Sequence, residues 1–439
     1  MRIALAAVAL VVTIALEPLG RAQADPTPVN FTLAFIGDQG LGPDPRAVLT
    51  LIRNEGASAV LHSGDFEYTD TPRAFEDQVN AVLGQNFPYF ASVGNHDADT
   101  FYGPGGYQAF LAARMTRLGI AWKGDLGAQA SFTYRGIFFV LTAPGVFSDD
   151  DGDRVYAPFL ANELAADHSL WRISSWHKDM ELMQVGGKSD ETGWGVYEAA
   201  RRGGAITATG HEHSYSRTHL LSSCQTQTVA STANTLVLAR DDPGTPADEG
   251  RSFVFVSGLG GRSIRDQQLS GPWWASIYTA TQGANYGALF GVFNYQGDPG
   301  LAHFYFKDIG GHVADDFFVR AASSTRPPCL LDVDGNGRVE VATDVVYIAR
   351  RLVGLTPVPP SFRLRDPTIP ADSVIAGRID AAGAAFDVDM RGGAQVATDV
   401  TYIARRLLAL TVVPPSFRTI DPTIPSDGVI RAKIDALCP

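Results

Sequence analysis

Short apolar runs alternate with amphipathic stretches over residues 25–320 of the 439-residue chain. Each run that matters here is five residues long and ends in polar sequence, as buried strands of an open sheet do. Intervals of about 30 residues from the start of one run to the next, over the first three runs, leave room for crossover helices between parallel strands. The pattern predicts an α/β domain. The five runs are Thr32–Ile36, Ala59–Ser63, Tyr89–Val93, Arg172–Trp176 and Ala205–Thr209.

The pattern changes at the end of the chain. Residues 321–328 are rich in Ser, Thr and Pro, which favours a linker. Beyond it, Val341–Val345 (VATDV) recurs 55 residues later as Val396–Val400, and both copies lead into a Tyr-Ile-Ala-Arg-Arg-Leu segment. Because the first 320 residues do not share this repeat, residues 329–439 are expected to form a separate, small and mainly helical repeat domain.

The N-terminus has the pattern of a signal peptide. Arg2 precedes the apolar run Ile3–Ala15, and Ala22-Gln23-Ala24 is a small-x-small cleavage site. The run is shorter than the roughly 20 apolar residues of a membrane span. We therefore expect residues 1–24 to be a signal peptide, the mature chain to be secreted (periplasmic or extracellular), and no membrane span.

The three cysteines are consistent with export, since disulfides form in oxidising compartments. Cys329 and Cys438 bracket the repeat domain, and we expect them to pair. Cys224 would then remain a free, buried thiol.

The formal net charge of −12 argues against a nucleic-acid binder that relies on a basic surface. It leaves open a phosphorylated substrate, because bound metal ions supply local positive charge.

Each apolar run leads directly into side chains that bind metals. In open α/β sheets the ligand site lies outside the carboxyl ends of the strands, so these side chains are expected to converge. Two carboxylates, three imidazoles, a phenol and an amide oxygen suit iron, zinc or manganese. One carboxylate can bridge two metals about 3.5–4 Å apart, the spacing of two-metal phosphoryl-transfer sites. The candidate ligands are Asp38, Asp65, Tyr68, Asn95, His177, His211 and His213.

The motifs GDQG, GDFEY, GNHD, WHKD and GHEH, in this order over residues 38–217, resemble those of the calcineurin-like metallophosphoesterases. Many members have a histidine two positions after the first aspartate, where this chain has Gly40. Purple acid phosphatases also lack that histidine and use a tyrosine three positions after the second aspartate, where Tyr68 stands. The resemblance implies a four-layer α/β/β/α sandwich.

The resemblance also implies a role for each ligand. One metal, ferric iron in the family, would be bound by Asp38, Asp65, Tyr68 and His213. The second, zinc, manganese or iron, would be bound by Asp65, Asn95, His177 and His211. His96 would face the leaving group, and Asp97 would orient His96. Lys178-Asp179-Met180 departs from the family, which often has another histidine soon after His177.

We therefore expect hydrolysis of small phosphate monoesters, of the acid phosphatase type, by a metal-activated hydroxide that attacks in line. The alternatives are a phosphodiesterase or nucleotidase on the same scaffold, and a secreted binding protein without turnover. His96 argues against the last, since a purely structural metal site needs no leaving-group histidine. Two further residues stay outside the ligand set: we expect His62 to be structural, whereas Arg217 could contact phosphate or pair with a carboxylate.

The repeat domain begins with a calcium-loop pattern. Oxygen ligands occupy positions 1, 3, 5 and 9, a glycine occupies position 6, and an acid follows at position 13. A helix is expected over Asp344–Leu352, and Arg391 in the second copy is expected to repel calcium. The repeats resemble dockerins, which attach enzymes to a scaffold protein; a docking module and a purely structural calcium domain remain equal alternatives. The calcium candidates are Asp332, Asp334, Asn336, Glu340 and Asp344.

Overall fold

The computed structural model describes residues 27–241, 248–321, 329–334, 339–365 and 369–438. The predicted signal peptide, most of the predicted linker, and Asn336 of the predicted calcium loop lie outside these residues. In the described part of the chain, no helix combines the length and apolar character that crossing a membrane requires.

The secondary structure matches the predicted order of elements. The strands are β1 (Phe31–Ile36), β2 (Ala59–Ser63), β3 (Tyr89–Ser92), β4 (Lys123–Asp125), β5 (Gln129–Tyr134), β6 (Ile137–Thr142), β7 (Trp171–Ser175), β8 (Ile206–Thr209), β9 (Tyr215–Thr218), β10 (Leu220–Ser223), β11 (Thr228–Ser231), β12 (Thr235–Val237), β13 (Val254–Ser257), β14 (Trp274–Tyr278), β15 (Gly287–Tyr295), β16 (Asp298–Asp308) and β17 (Val313–Arg320). The helices are α1 (Pro43–Asn54), α2 (Pro72–Val82), α3 (Ala98–Phe101), α4 (Tyr107–Arg117), α5 (Ala157–Ala166), α6 (Trp194–Arg202), α7 (Val346–Leu352), α8 (Pro360–Arg365), α9 (Asp372–Ala382), α10 (Thr401–Leu407), α11 (Pro415–Ile420) and α12 (Asp427–Asp435).

Two mixed sheets contain the five predicted strands, each within one residue of its expected bounds. The first has the order β12-β17-β16-β15-β1-β2-β3, and the second β14-β9-β13-β8-β7-β6-β5-β4. Strands β1, β2 and β3 are parallel, as are β6, β7, β8 and β13. Their carboxyl ends therefore lie at one edge of each sheet, where the predicted ligands follow.

The sheets pack face to face through aromatic side chains. Phe35 of β1 contacts Phe255 of β13 with ring centroids 5.1 Å apart, and Phe90 of β3 contacts Phe139 of β6 at 5.4 Å. These strands are buried on both faces because helices cover them outside: α1, α2 and α4 lie on the first sheet, and α5 and α6 on the second. The four-layer α/β/β/α sandwich is confirmed.

The repeat domain has its own apolar core, which runs from Leu331 to Leu437. The expected disulfide joins Cys329 to Cys438, and Cys224 is a buried free thiol, also as expected. One predicted boundary is wrong. The helix expected from Asp344 starts earlier, with a π-helical turn over Val341–Val345 that leads into α7. The second copy repeats this turn over Val396–Val400.

Candidate metal centre

Three of the predicted ligands have an uncommon backbone conformation. Asp38, Asp65 and His211 have φ angles of 55°, 57° and 65°, in the left-handed region that side chains usually avoid. Such strain persists where the surroundings over-determine the geometry, which is commonest at functional sites. Gly94 permits one of these turns, because a Cβ atom there would lie 2.2 Å from the Asp65 amide nitrogen. The backbone is thus bent to aim these side chains at one point.

Asp38, Tyr68 and His213 form the first group of ligand atoms. Tyr68 Oη lies 3.3 Å from Asp38 Oδ1 and 3.4 Å from His213 Nε2, and the last two atoms are 3.3 Å apart. Ligands about 2.1–2.3 Å from one ion at right angles are about 3.0–3.3 Å apart. The triangle therefore has the dimensions of one face of a coordination shell.

Asp65, His177 and His211 form the second group. His177 Nε2 lies 3.2 Å from Asp65 Oδ1 and 3.1 Å from His211 Nδ1. All three side chains are buried. Two imidazole nitrogens pointing at each other over this distance need a shared cation or a proton between them, so this group also fits a metal.

Asn95 supplies the clearest test of that fit. Its Oδ1 atom is buried and has no hydrogen-bond partner among the described residues. A buried acceptor left unpaired costs about 1–3 kcal/mol, which coordination to a cation removes. The predicted amide ligand is therefore an orphan oxygen that a metal ion would satisfy.

Burial and charge set the protonation of the ligands. Burial raises the pKa of the Tyr68 phenol well above its ordinary value, and the carboxylates of Asp38 and Asp65 raise it further. The protein alone thus keeps Tyr68 protonated, and only a strongly charged cation could make it a phenolate. Burial lowers the pKa of His211 to about 4, which leaves a neutral imidazole able to bind metal. Burial acts the same way on His177, but Asp65 outweighs it and raises the His177 pKa to about 9, so metal binding there would release a proton.

The three histidines share one arrangement. Each presents one ring nitrogen to its group and bonds through the other to a fixed partner, which holds the tautomer and ring orientation as second contacts do in metal sites. The pairs are His177 Nδ1 with the Ser63 carbonyl (2.7 Å), His211 Nε2 with Glu191 (2.7 Å), and His213 Nδ1 with the Ser263 hydroxyl.

Residues 31–215 match the family model of the calcineurin-like phosphoesterases. The chain contains a calcineurin-like metallophosphoesterase domain. The resemblance seen in the five motifs is confirmed, and so is the expectation that the domain is of a metal-dependent phosphoesterase class.

Several solved structures are similar to the chain. The purple acid phosphatase PPD1 from yellow lupin (Lupinus luteus) seeds is 16% identical with a TM-score of 0.49, over 67% of this chain and 55% of the lupin protein. GAP50, the anchor in the inner membrane complex of Plasmodium, is 10% identical with a TM-score of 0.43, over 67% of this chain and 90% of its own. A dimetal phosphatase from Danio rerio is 11% identical with a TM-score of 0.36, over 67% of this chain and all of its own. The chain thus spans little more than half of the lupin protein, and similarity at this level carries no argument about chemistry. No curated protein matches the sequence.

In the metallophosphoesterase domain, His96 and Asp97 have different surroundings. The exposed His96 ring lies 4.6 Å from the Tyr68 ring, on the wall of the pocket over the metal ligands. Asp97 is fully buried, and its oxygens accept the backbone N–H groups of Asp65, Phe66 and Gly94 at 2.8–2.9 Å. Its described contacts therefore hold the two ligand-bearing turns together, in place of the expected contact with the His96 ring.

The structure also shows the contacts of His62 and Arg217, the two residues that were not predicted to be ligands. His62 is buried, its Nδ1 atom lies 2.9 Å from the Tyr89 hydroxyl, and burial lowers its pKa to about 3, so it is structural as expected. Arg217, on β9, pairs with the Asp315 carboxylate at 2.6 and 3.0 Å. Of its two alternatives, the carboxylate partner is the one observed.

The sequence did not predict five residues of the site. Two of them, Glu191 and Ser263, contact the histidine ligands, and the other three are cationic side chains of the pocket. Lys188, Arg262 and Arg265 line the pocket together with the ligands. They lie on loops of the second sheet, outside any motif, so no sequence signal marked them.

The acidic residues of the repeat domain also cluster. Asp332, Asp334 and Asp344 bring carboxylate oxygens within 4.8 Å of one another, and Asp344 accepts the Val333 and Glu340 N–H groups at 2.9 Å. Such clusters also occur without a metal, and the Glu340 side chain is not among the grouped ligands. In the second copy Asp387, Asp389 and Asp399 cluster in the same way. Arg391 was expected to repel calcium from this second loop. Its guanidinium instead pairs with Asp421 at 2.5 Å.

We expect Glu191→Gln to weaken metal binding at the second group by about 10- to 100-fold, as loss of an outer carboxylate partner does in other metal sites. The amide keeps the size of the side chain but gives His211 Nε2 a weaker, neutral partner. Calorimetric titration of chelator-treated protein with zinc measures the change. Glu181→Gln, an exposed glutamate on the same loop, is the matched control. Equal zinc affinity in Glu191→Gln and wild-type protein would contradict the role.

Proposed function

We propose that the chain is a secreted enzyme that hydrolyses phosphate monoesters, of the acid phosphatase type, with two metal ions. The observation that carries the proposal is the position of Tyr68. Its hydroxyl completes a triangle with Asp38 and His213, while Gly40 leaves no histidine to compete for that place. A phenolate ligand favours ferric iron in the first position, and the amide and two imidazoles of the second accept zinc, manganese or iron.

Two cations held by the two ligand groups would lower the pKa of a bound water and neutralise phosphoryl charge in the transition state. The protein's own residues position the metal ligands and supply a proton donor. Asp97 and the His96 N–H, which donates to Asp65 Oδ1 at 3.0 Å, hold the turns that carry the ligands. The exposed His96 ring stands at the pocket wall, where an imidazole can donate a proton to a leaving alkoxide.

The proposal is tested by a visible spectrum of the purified protein, together with hydrolysis of p-nitrophenyl phosphate. We expect a tyrosinate-to-iron charge-transfer band that disappears in Tyr68→Phe. Tyr102→Phe, which removes an exposed hydroxyl bonded to Asp125, should keep the band.

The outcomes separate the parts of the proposal. A colourless but active enzyme would exclude iron and leave the hydrolase intact. Activity confined to diesters or nucleotides would replace the monoesterase with the alternative on the same scaffold. A protein that carries two metals but hydrolyses none of these esters would refute the enzymatic function.

Export is supported by the disulfide between Cys329 and Cys438, since such bonds persist in oxidising compartments. It agrees with the signal-peptide pattern of residues 1–24, which lie outside the described residues. The repeat domain is then an extracellular module, either a calcium-stabilised structure or a surface that docks onto a scaffold protein.

Calcium is expected to stabilise the repeat domain through Asp332, Asp334 and Asp344. At a free concentration 100 times the dissociation constant, the gain in unfolding free energy is about 2.7 kcal/mol. Differential scanning calorimetry with calcium and with chelator measures it, and Asp332→Ala should abolish it. Asp387→Ala is the matched variant in the second copy and shows whether that cluster contributes. An undiminished calcium effect in Asp332→Ala would contradict the first loop.

A further inference from the structure

Positive charge is concentrated at the mouth of the metal centre. The pocket above the ligands encloses about 220 Å³, and its lining includes Lys188, Arg262 and Arg265. This is less than the roughly 300–1,000 Å³ of pockets that enclose whole small molecules. A bound ester would therefore place its phosphoryl group inside and extend the rest of the molecule over these three cations.

Two of the cations are not neutralised by the protein. Among the described residues, neither Lys188 nor Arg262 forms an ion pair with a carboxylate, and the Arg262 guanidinium stacks 4.4 Å above the Tyr68 ring. Arg265 has one acidic partner, the buried Glu212 at 3.0 Å. In a chain of net charge −12, unpaired cations gathered at one pocket indicate an anionic ligand.

Backbone hydrogen bonds connect the segments that carry the two arginines to the turns that carry the metal ligands. The Arg262 N–H donates to the Asp38 carbonyl and the Arg265 N–H to the His213 carbonyl, both at 3.0 Å. The loop with Lys188 is tied to the same segment, because the Val185 carbonyl accepts the Gln268 N–H at 2.8 Å. These bonds fix the backbone positions from which the two arginine side chains extend, relative to the turns that carry Asp38 and His213.

We propose that Lys188, Arg262 and Arg265 form a subsite for a second phosphate group, adjacent to the one transferred. The preferred substrates would then be organic diphosphates, such as nucleoside diphosphates. This rests on the proposed phosphatase function. Guanidinium groups bind phosphate through paired hydrogen bonds, and binding energy from a non-reacting group can lower the barrier of the chemical step. Water attacks the terminal phosphorus, the anhydride P–O bond breaks, and inorganic phosphate and the monophosphate leave.

The test compares ADP with AMP as substrates of the metal-loaded enzyme. We expect kcat/KM to be at least 10-fold higher for ADP. The ratio should fall to about 1 in the double variant Lys188→Gln/Arg262→Gln, since the neutral amides remove the two positive charges that would face the second phosphate. Arg73→Gln removes an exposed arginine on α2 and should keep the wild-type ratio.

Calorimetry measures binding in the absence of turnover. The metal-loaded protein should bind pyrophosphate at least 10-fold more tightly than phosphate. The double variant should bind the two anions with equal affinity. Equal kcat/KM for ADP and AMP in wild-type protein would overturn the subsite. An equal loss on both substrates in the variant would do so too, since the cations would then act on the transferred phosphate. If no ester is hydrolysed, the proposed function fails, and the pyrophosphate preference alone decides the subsite.

Discussion

An Asp65→Asn protein is expected to lose at least about a thousandfold in kcat/KM for an aryl phosphate. Asp65 belongs to the second ligand group, where its Oδ1 atom lies 3.2 Å from His177 Nε2. Its negative charge also raises the pKa of Tyr68 in the first group, so it acts on both groups. A neutral amide cannot bridge two cations as a carboxylate can. The cations are expected to contribute several kcal/mol to the transition state, and about 4 kcal/mol corresponds to that factor.

The measurement combines steady-state kinetics with metal analysis. Metal content should fall from two ions per chain to one or fewer, while an amide oxygen still accepts the His96 N–H and preserves the turn. Asp77→Asn, at an exposed aspartate on α2, makes the same chemical change without effect on either quantity. An Asp65→Asn protein with two ions and wild-type kinetics would show that Asp65 is not the bridge.

Replacing both Cys329 and Cys438 by serine should destabilise the repeat domain by about 2–5 kcal/mol. The disulfide joins residues 109 positions apart, and closing so long a loop removes much entropy from the unfolded chain. Both cysteines pack against the core between Leu331 and Leu437. Catalysis should not change, because the metal ligands are outside this domain.

Two spectroscopic signals separate the domains during urea unfolding. The six tryptophans all lie between Trp122 and Trp274, so their fluorescence reports on the metallophosphoesterase domain alone. Far-UV circular dichroism also detects the helices of the repeat domain. The double variant should unfold earlier by circular dichroism with an unchanged fluorescence transition.

Cys224→Ser is the reciprocal control, because this buried thiol packs in the core of the metallophosphoesterase domain. It should shift the fluorescence transition and leave the repeat domain unaffected. A fluorescence shift in the Cys329/Cys438 variant, or no shift in circular dichroism, would contradict the assignment.

The ligand set was predictable because strand and ligand are adjacent in the chain. An apolar run such as Ala59–Ser63 can only be buried, and Asp65 then follows it at the edge of the sheet. The same holds for Asp38 after β1 and for His211 after β8. The 55-residue repeat likewise predicted a second domain, and the structure gives residues 331–437 a core of their own. The two cysteines that bracket the repeat were expected to pair, and they form a disulfide.

The role of Asp97 was not predictable in the same way. It stands beside His96 in the chain, which favoured a contact between them, yet its oxygens accept N–H groups of the β2 turn. Arg391 in the repeat domain is similar: its position in the loop suggested repulsion of calcium, whereas its side chain leaves the loop for Asp421. In both cases the direction of one side chain depends on a partner brought close by the fold.

By itself, then, the sequence determined which donor atoms are available and on which turns they stand, since both follow from local pattern and residue type. The tertiary structure alone decided that Glu191 and Ser263 hold His211 and His213, that Arg262 stacks over Tyr68, and that Lys188 lines the same pocket. These residues come from separate loops of the second sheet, and no periodicity encodes the distance between such loops. Pairing of the strands within the second sheet brings these loops together, and packing against the first sheet adds Tyr68 to the site.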